Sequence, residues 1–180
     1  MSTTVIGLDP GSERTGYAVF RVTGRPPDTV STILQEASRK DNEEVLACLA
    51  TLPLLEGYRV VIEKPWIEPG RVYPAALENL RWASKFEGIV EGRAYGVKGV
   101  GCLRVNMIQS NVARQWLIPL ASRKIDAAGK RKGPTDKEIR LAVEARLGRT
   151  LDVPYEDARH VADACVVALM SIEANRSTMQ

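Results

Sequence analysis

Short apolar runs alternate with turn residues along the first part of the chain, which is the pattern of β-strands joined by tight links. Strands are predicted over residues 3–9, 15–22, 29–34, 58–63 and 100–105. The short link after residue 9 contains Pro10 and Gly11, and it predicts that the first two strands form an antiparallel hairpin. The fourth strand is continuously apolar before its final carboxylate, Glu63, as expected of a buried strand.

Helical spacing of the apolar residues predicts the remaining elements. These helices cover residues 40–52, 74–95, 109–117, 135–147 and 155–174. Thr135 and Glu138 form a capping-box pattern at the start of the fourth helix. Three early strands followed by alternating helices and strands predict an α/β fold, in which helices flank both faces of a five-stranded mixed sheet.

The length of the chain indicates the number of domains, and its charge distribution indicates the kind of partner. The chain has 180 residues, the size of one ordinary domain, so we expect a single domain over residues 1–180. The net charge is only +3, but residues 104–149 contain eleven Lys and Arg against four Asp and Glu. This segregation favours a polyanion partner, usually nucleic acid, with a solvated surface loop as the simpler alternative. Residues 122–133 are polar, basic and glycine-containing, and are predicted to form a mobile basic loop.

Three features of the sequence exclude other classes of protein. No apolar run reaches the roughly 18–20 residues of a membrane span, and the first residues lack a signal-peptide pattern, so we expect a soluble, cytoplasmic protein. The three cysteines show no C-x-x-C spacing, which argues against a zinc site or a disulfide framework. His160 is the only histidine, so a site that requires two histidines is excluded.

Four residues are candidates for catalytic chemistry. Asp9 and Glu63 end two predicted strands, where side chains project beyond the sheet. Asp163 lies in a helix that is apolar nearly all round, so its carboxylate needs a cation, because burying an unpaired charge is costly. His160 lies one helical turn before it. If these four side chains converge on one point, they would suit two Mg²⁺ or Mn²⁺ ions, which prefer oxygen ligands. Two such ions can stabilise the attacking and leaving oxygens when a phosphodiester is hydrolysed.

Each candidate also has a purely structural interpretation. Asp9 could serve only the Asp-Pro-Gly turn that follows the first strand. Glu63 could form an ion pair with a neighbouring Arg59 or Lys64, and His160 could be a hydrogen-bonded residue at a helix start. The combination favours a metal site, but spacing alone leaves both interpretations open.

Three segments resemble the RuvC family of Holliday-junction resolvases, nucleases of the RNase H-like superfamily. Residues 6–19 (IGLDPGSERTGYAV) are similar to the family's opening strand, turn and strand. Residues 61–63 (VIE) resemble its second acidic motif, and residues 160–169 (HVADACVVAL) resemble its closing motif. Segment order and chain length agree over nearly the whole chain. The resemblance implies an RNase H-like fold.

The resemblance also implies roles for individual residues. Asp9, Glu63, His160 and Asp163 would be the metal ligands for two Mg²⁺ ions per site, with Mn²⁺ able to substitute. Many family members carry Asp where His160 stands, while others carry His, and a nitrogen ligand suits Mn²⁺ better than Mg²⁺. Lys137, in the segment GPTDK, would approach the scissile phosphate as a catalytic residue; a first-turn surface lysine is the structural alternative.

The expected DNA contacts combine the resemblance with the charge pattern. Trp66 occupies the place of the family's junction-probing aromatic residue, which can stack on a base. The residues assigned to DNA binding are Trp66, Arg71, Arg104, Arg114, Arg123, Lys124, Lys130, Arg131, Lys132 and Lys137. The segment before Gly133 is longer than usual for the family, and we expect it to form an extra basic arm on the DNA.

The function implied by the resemblance is resolution of four-way DNA junctions by paired symmetric nicks that leave 5′-phosphate and 3′-hydroxyl ends. Two nicks require two active sites, so a homodimer is expected, with Leu77, Leu80, Trp82 and Phe86 of the long helix as its surface. Three alternatives stay open: a nuclease for flaps and three-way branches, an actin-like ATPase or phosphotransferase, and a junction-binding protein that does not cut. The chain is short for the two-lobed actin-like fold.

Overall fold

The computed structural model has five strands and five helices in the residues that it describes, which are 2–24, 31–52, 58–65, 73–95, 103–119, 122–125, 127, 129 and 131–177. The strands are β1 (Ser2–Asp9), β2 (Arg14–Thr23), β3 (Ser31–Asp41), β4 (Tyr58–Lys64) and β5 (Leu103–Gln109). The helices are α1 (Asn42–Thr51), α2 (Pro74–Tyr95), α3 (Ser110–Leu117), α4 (Asp136–Leu147) and α5 (Ala158–Ser177). None of these helices is long and apolar enough to cross a membrane.

The strands form one mixed sheet in the order β3-β2-β1-β4-β5. The β1–β2 and β2–β3 pairs are antiparallel, and the β1–β4 and β4–β5 pairs are parallel. Leu8 of β1 lies opposite Ile62 of β4, so the residues that follow them, Asp9 and Glu63, come to the same edge of the sheet. The hairpin predicted for the first two strands is confirmed.

Successive residues of β1 face opposite sides of the sheet, and each side has its own core. Val5 belongs to the core formed with α3, α4 and α5, which includes Ile139. Ile6 belongs to the core formed with α1 and α2, which includes Leu49 and Phe86. Helices therefore cover both faces of a five-stranded mixed sheet, which confirms the predicted fold class.

Helix α5 lies unusually close to β1 and β2, because glycines face it. A Cβ atom at Gly7 would overlap the carbonyl oxygen of Ala164 and lie 2.9 Å from the Cβ of Ala168. A Cβ atom at Gly16 would overlap the carbonyl oxygen of His160. This close approach fixes the position of α5 along the sheet, and with it the positions of the polar residues in its first two turns.

The strand boundaries differ from prediction where the sequence is polar. β3 continues through Asp41, although a strand was predicted only to residue 34 and a helix from residue 40. β3 is an edge strand paired with β2 alone, and most of its later residues contact solvent, so no apolar alternation marks it. β5 likewise continues to Gln109, in parallel register with Lys64 of β4. The predicted residues 29–30 and 100–102 lie outside the described part.

The α2 face that we expected to form a dimer surface is divided between core and solvent. Phe86 is fully buried against the sheet, and Trp82 packs partly buried beside it, with a distance of 5.9 Å between the ring centroids. Leu77, by contrast, is 47% exposed. The prediction is wrong for Phe86, because the apolar stripe of α2 is used by the intramolecular core.

The predicted basic loop contains hairpin-like pairing among its described residues. Ile125 and Arg131 form an isolated antiparallel bridge, and the backbone N–H of Lys132 donates to the carbonyl of Lys124 at 2.9 Å. Helix α4 follows with the predicted capping box, since Thr135 and Glu138 each accept a hydrogen bond from the other's backbone N–H. The mobility of the loop stays a prediction.

Candidate metal centre

Three carboxylates from separate elements meet at the edge of the sheet. Asp9 ends β1, Glu63 lies near the end of β4, and Asp163 lies in the second turn of α5. Each places one oxygen within 4.8 Å of an oxygen of the other two. The parallel register of β1 and β4 aligns the first two residues, and the glycine contacts under α5 bring the third residue onto them.

Burial and mutual repulsion make this cluster unfavourable without a cation. Burial, and then the nearby Asp163, raise the pKa of Asp9 from 3.8 to about 8. Burial and Asp9 raise the pKa of Glu63 well above its ordinary value, and burial also raises the pKa of Asp163. The Oε2 atom of Glu63 is buried and has no hydrogen-bond partner among the described residues.

These observations fit a site for divalent cations. Carboxylate oxygens are the ligands that Mg²⁺ and Mn²⁺ prefer, and an ion between them would remove the repulsion that raises the pKa values. An ion would also give the unpaired Oε2 of Glu63 a partner. The residues that could hold it directly are Asp9, Glu63 and Asp163.

His160 joins this cluster through Asp9 and lies outside the group of three mutually close carboxylates. A hydrogen bond of 2.6 Å connects Nδ1 of His160 to Oδ2 of Asp9. Burial, followed by the positive charges of Arg39 and Arg159, lowers the pKa of His160. Both residues are predicted metal ligands, and in the structure His160 orients the carboxylate of Asp9.

Arg114, for which the sequence predicts only phosphate contacts, is a component of the site. From α3, its Nε donates to Oδ1 of Asp163 at 3.1 Å and its Nη2 donates to Oδ2 at 2.6 Å. This two-point ion pair supplies the cation that a buried Asp163 requires. In the sequence the nearest candidate partner of Asp163 is His160, whereas its direct partner among the described residues comes from another helix.

Lys137 and the basic arm lie on α4 and the segment before it. Lys137 is an exposed residue of the first turn of α4, and it lines a groove together with Arg159, the residue before His160. Arg123, Lys124 and Lys132 line a separate cavity of about 320 Å³ at the base of the arm.

The contacts within the arm leave its cations near the surface. Nε of Arg123 donates to the carbonyl of Ile118 at 3.1 Å, and Nζ of Lys124 lies 3.5 Å from Oε1 of Glu138. Arg131 is exposed at the bridge with Ile125. Several predicted DNA-binding residues lie outside the described part of the structure: Trp66, Arg71, Lys130 and the side chain of Arg104.

An ion-pair cluster that the sequence does not predict lies at the start of α5. Oδ1 of Asp157 lies 3.4 Å from Nη1 of Arg14 on β2 and 3.1 Å from Nη1 of Arg39 on β3. Nη2 of Arg14 also donates to the carbonyl of Arg39 at 2.8 Å. The cluster ties α5 to two strands, one turn before His160. Neither arginine has a sequence signal that connects it with Asp157.

A second buried network holds the turn after Asp9. Nδ2 of Asn42 donates to the carbonyls of Gly11 and Ser12, at 3.0 and 3.2 Å. The hydroxyl of Thr15 lies 2.6 Å from Oδ1 of Asn42. The Asp-Pro-Gly turn is therefore fixed by its own network, and Asp9 remains directed to the carboxylate cluster.

Comparison with known proteins shows a likeness in structure. No protein-family model and no curated protein sequence matches the chain. Thermus thermophilus RuvC is 21% identical over 98% of both chains, with a TM-score of 0.60. T. thermophilus RuvC in complex with a Holliday junction substrate is 18% identical over 98% of both chains, with a TM-score of 0.57.

A eukaryotic structure shares the same architecture. The yeast mitochondrial Holliday junction resolvase Ydc2 is 11% identical over 98% of this chain and 83% of that chain, with a TM-score of 0.53. At these identities the likeness is one of fold. The chain therefore has the RNase H-like fold of RuvC, as the sequence resemblance implied.

Proposed function

We propose that this protein is a metal-dependent endonuclease that resolves four-way DNA junctions by paired symmetric nicks. The observation that carries the proposal is the cluster of Asp9, Glu63 and Asp163, whose oxygens lie within 4.8 Å of one another. The fold supports it, because two structures that match over 98% of both chains are RuvC, one of them with a Holliday junction substrate.

Asp9, Glu63 and Asp163 would hold Mg²⁺ ions, with Mn²⁺ as an effective substitute. When bound, two such ions supply charge stabilisation for the attacking and leaving oxygens of a phosphodiester. His160 keeps the Asp9 carboxylate in place through its 2.6 Å hydrogen bond, and a change of its ring orientation would let it bind an ion itself. Arg114 fixes the orientation of Asp163 through two hydrogen bonds.

The remaining predicted residues would bind and orient DNA. Lys137, exposed on α4 near Arg159, would contact the scissile phosphate. The basic arm would hold phosphates through its Lys and Arg side chains. The residues proposed for DNA binding are Trp66, Arg71, Arg104, Arg114, Arg123, Lys124, Lys130, Arg131, Lys132 and Lys137.

The assembly that we propose is a homodimer of one domain each. Paired nicks on two strands need two copies of the carboxylate cluster, and the single chain provides one such cluster among its described residues. The exposed Leu77 of α2 is a candidate for the contact between copies. We place this activity in the cytoplasm, in keeping with the free thiols of Cys48 and Cys165.

Cleavage of synthetic junctions tests this function. Labelled mobile and immobile four-way junctions, three-way junctions and flaps are incubated with the purified protein in Mg²⁺, Mn²⁺ or a chelator. We expect paired nicks at symmetric positions of four-way junctions, with 5′-phosphate ends, only when a divalent ion is present. Binding to junctions with no cleavage in either ion would contradict the proposal, and preferred cutting of flaps would assign the broader activity.

A substitution at Asp9 tests the site itself. Asp9→Asn keeps the side-chain size but removes a charged ligand, so we expect cleavage to fall by at least about 100-fold while junction binding is retained. Glu43→Gln, at an exposed acid of α1, is the matched control and should cleave like the parent protein. Full activity of Asp9→Asn would show that the metal site lies elsewhere.

A further inference from the structure

A groove of about 590 Å³ lies between the first half of α4 and the turn that leads into α5. Lys137, Arg140 and Leu141 line it from α4, and Tyr155 and Arg159 line it from the other side. Its volume is within the roughly 300–1,000 Å³ of typical small-ligand sites. Of these residues, only Lys137 has a role in the proposed nuclease site. Its phosphate contact would lie at the rim of the groove.

Tyr155 presents its ring to solvent from a fixed backbone. Its side chain is 88% exposed. The backbone N–H of Asp157 donates to the carbonyl of Pro154 at 3.1 Å, and that of Ala158 donates to the carbonyl of Tyr155 at 3.3 Å. The Asp157 carboxylate is in turn held by two arginines from the sheet. The backbone of the turn is therefore restrained from both ends, and the ring of Tyr155 is accessible to a ligand.

The charges of the groove favour a base over a run of phosphates. Its three cations are matched in number by three acids, Asp136, Glu144 and Glu156. Nε of Arg159 lies 3.6 Å from Asp136, and Nε of Arg140 lies 2.9 Å from Glu144. A track for the DNA backbone needs an excess of cations, which this lining lacks.

The groove also has an uncharged surface, in addition to its equal numbers of cations and acids. Leu141 is exposed in its wall and Tyr155 at its mouth, so the groove offers apolar and aromatic contact. Lys137 has no ion pair with the described residues, and is free to contact a single phosphate at the rim. One nucleotide has this combination of a flat apolar base and one negative charge.

The groove and the carboxylate cluster both use residues of the first two turns of α5. Arg159 lines it and immediately precedes His160, which is hydrogen-bonded to Asp9. Asp163 follows one turn later on α5. A DNA strand with a phosphate at the carboxylates and the next nucleotide beside Arg159 would present that nucleotide to the groove.

We infer that this groove binds an unpaired nucleobase of the DNA strand beside the scissile phosphate, stacked on the ring of Tyr155. The inference rests on the proposed nuclease function and deepens it, since it names a second contact with an opened branch point. Stacking tolerates any base, because every base has an aromatic face. The groove thus recognises that a base is unpaired rather than which base it is.

Photocrosslinking tests the contact without requiring cleavage. 5-Iododeoxyuridine is placed singly at positions flanking the cut in a four-way junction, and in a single-stranded oligonucleotide of the same sequence. Each DNA is irradiated with the protein in the Asp9→Asn background. We expect a crosslink in the peptide that contains Tyr155 with the junction label closest to the cut. Absence of this crosslink from every labelled DNA that binds would overturn the inference.

Variants separate stacking from structure. Tyr155→Ala should slow cleavage or weaken binding by roughly 5- to 150-fold, the range for removal of one base–aromatic stack, and Tyr155→Phe should restore it. Tyr73→Ala, at another exposed tyrosine, is the matched control. Thermal unfolding of Tyr155→Ala should match that of the parent, because the ring packs against almost nothing.

The outcomes distinguish this inference from the proposed function. If the parent cuts junctions and Tyr155→Ala is unchanged, the groove is not a base site and the nuclease function stands. If the parent cuts no branched DNA but the single strand crosslinks to Tyr155, base binding by the groove is supported and the proposed nuclease function is wrong. A change of oligomeric state in Tyr155→Ala without a crosslink would assign the groove to a second copy of the chain.

Discussion

Arg114 and Asp163 form an ion pair with two hydrogen bonds, of 3.1 and 2.6 Å, at the edge of a carboxylate cluster. Asp163 is only 3% exposed, and α3 carries its partner across the end of the sheet. The pair therefore places a fixed positive charge beside three acids of which two have no comparable cation among the described residues. A divalent ion bound by the carboxylates would share the neutralisation of this cluster with Arg114.

Removal of Arg114 should destabilise the metal-free protein. Arg114→Ala leaves Asp163 buried and unpaired, and loss of one partner of a buried ion pair costs about 3–5 kcal/mol of unfolding free energy. Urea unfolding with a chelator measures this loss, and added Mn²⁺ should recover a large part of it. Arg81→Ala breaks an exposed pair with Glu78 and should cost at most about 1 kcal/mol. Equal effects of the two variants would contradict this interpretation.

The carboxylate cluster should make stability depend on pH in the metal-free protein. The pKa of Asp9 is raised from 3.8 to about 8 by burial and by Asp163, so the folded state binds a proton that the unfolded state releases. This contribution is complete below pH 3.8 and is lost as the pH rises towards 8. We expect the unfolding free energy in chelator to fall across this window.

The same titration has two internal controls. Asp9→Asn should reduce the fall, because the neutral amide does not ionise, while Glu63 and Asp163, whose pKa values burial also raises, still contribute to it. A saturating divalent ion should reverse it, because ion binding requires the ionised carboxylates and becomes tighter as the pH rises. Stability that increases between pH 4 and 8 in the presence of chelator would be inconsistent with the burial of Asp9.

Gly16 should be sensitive to the smallest enlargement. A methyl group there meets the carbonyl oxygen of His160, which is backbone and cannot rotate away. Gly16→Ala should therefore displace the start of α5, lower the unfolding free energy by about 1–3 kcal/mol and reduce cleavage. Gly92→Ala, on the exposed side of α2 with nothing near its new methyl group, should instead be neutral or stabilising by up to about 1 kcal/mol. Circular dichroism melts and junction cleavage compare the two.

The basic arm should contribute affinity that depends strongly on salt. Removing the charges of Lys124 and Lys132 together should weaken binding to every branched DNA by a similar factor. The slope of log affinity against log salt should become shallower by about 0.9 for each phosphate that the variant no longer neutralises. Binding titrations at several salt concentrations measure this slope, with Lys85→Ala on α2 as the control. An unchanged slope would show that Lys124 and Lys132 of the basic arm do not contact DNA phosphates.

Much of the site is encoded locally. Asp9 and Glu63 each end an apolar run, and an acid in that place reaches the edge of a parallel sheet whatever covers its faces. Asp163 is recognisable as a charge inside an almost wholly apolar helix. The sequence favours one site for these residues but leaves their structural interpretations open, and the structure brings their carboxylates together.

The rest of the site depends on contacts between distant segments. Arg114 reaches Asp163 across 49 positions, and Arg14 reaches Asp157 across 143. Such pairs depend on how a helix packs on the sheet, and the periodicity of apolar residues in the sequence does not predict that packing. The polar second half of β3 was missed for a related reason, since an edge strand is specified by backbone pairing with one neighbour and little by its side chains.

Asp9 stands in the earliest strand and Asp163 in a helix made after every strand is complete. The cluster therefore does not exist on a growing chain until α5 has emerged and seated itself over Gly7 and Gly16. If the chain is the nuclease proposed above, chains that lack α5 would also lack Asp163 and with it a complete carboxylate cluster.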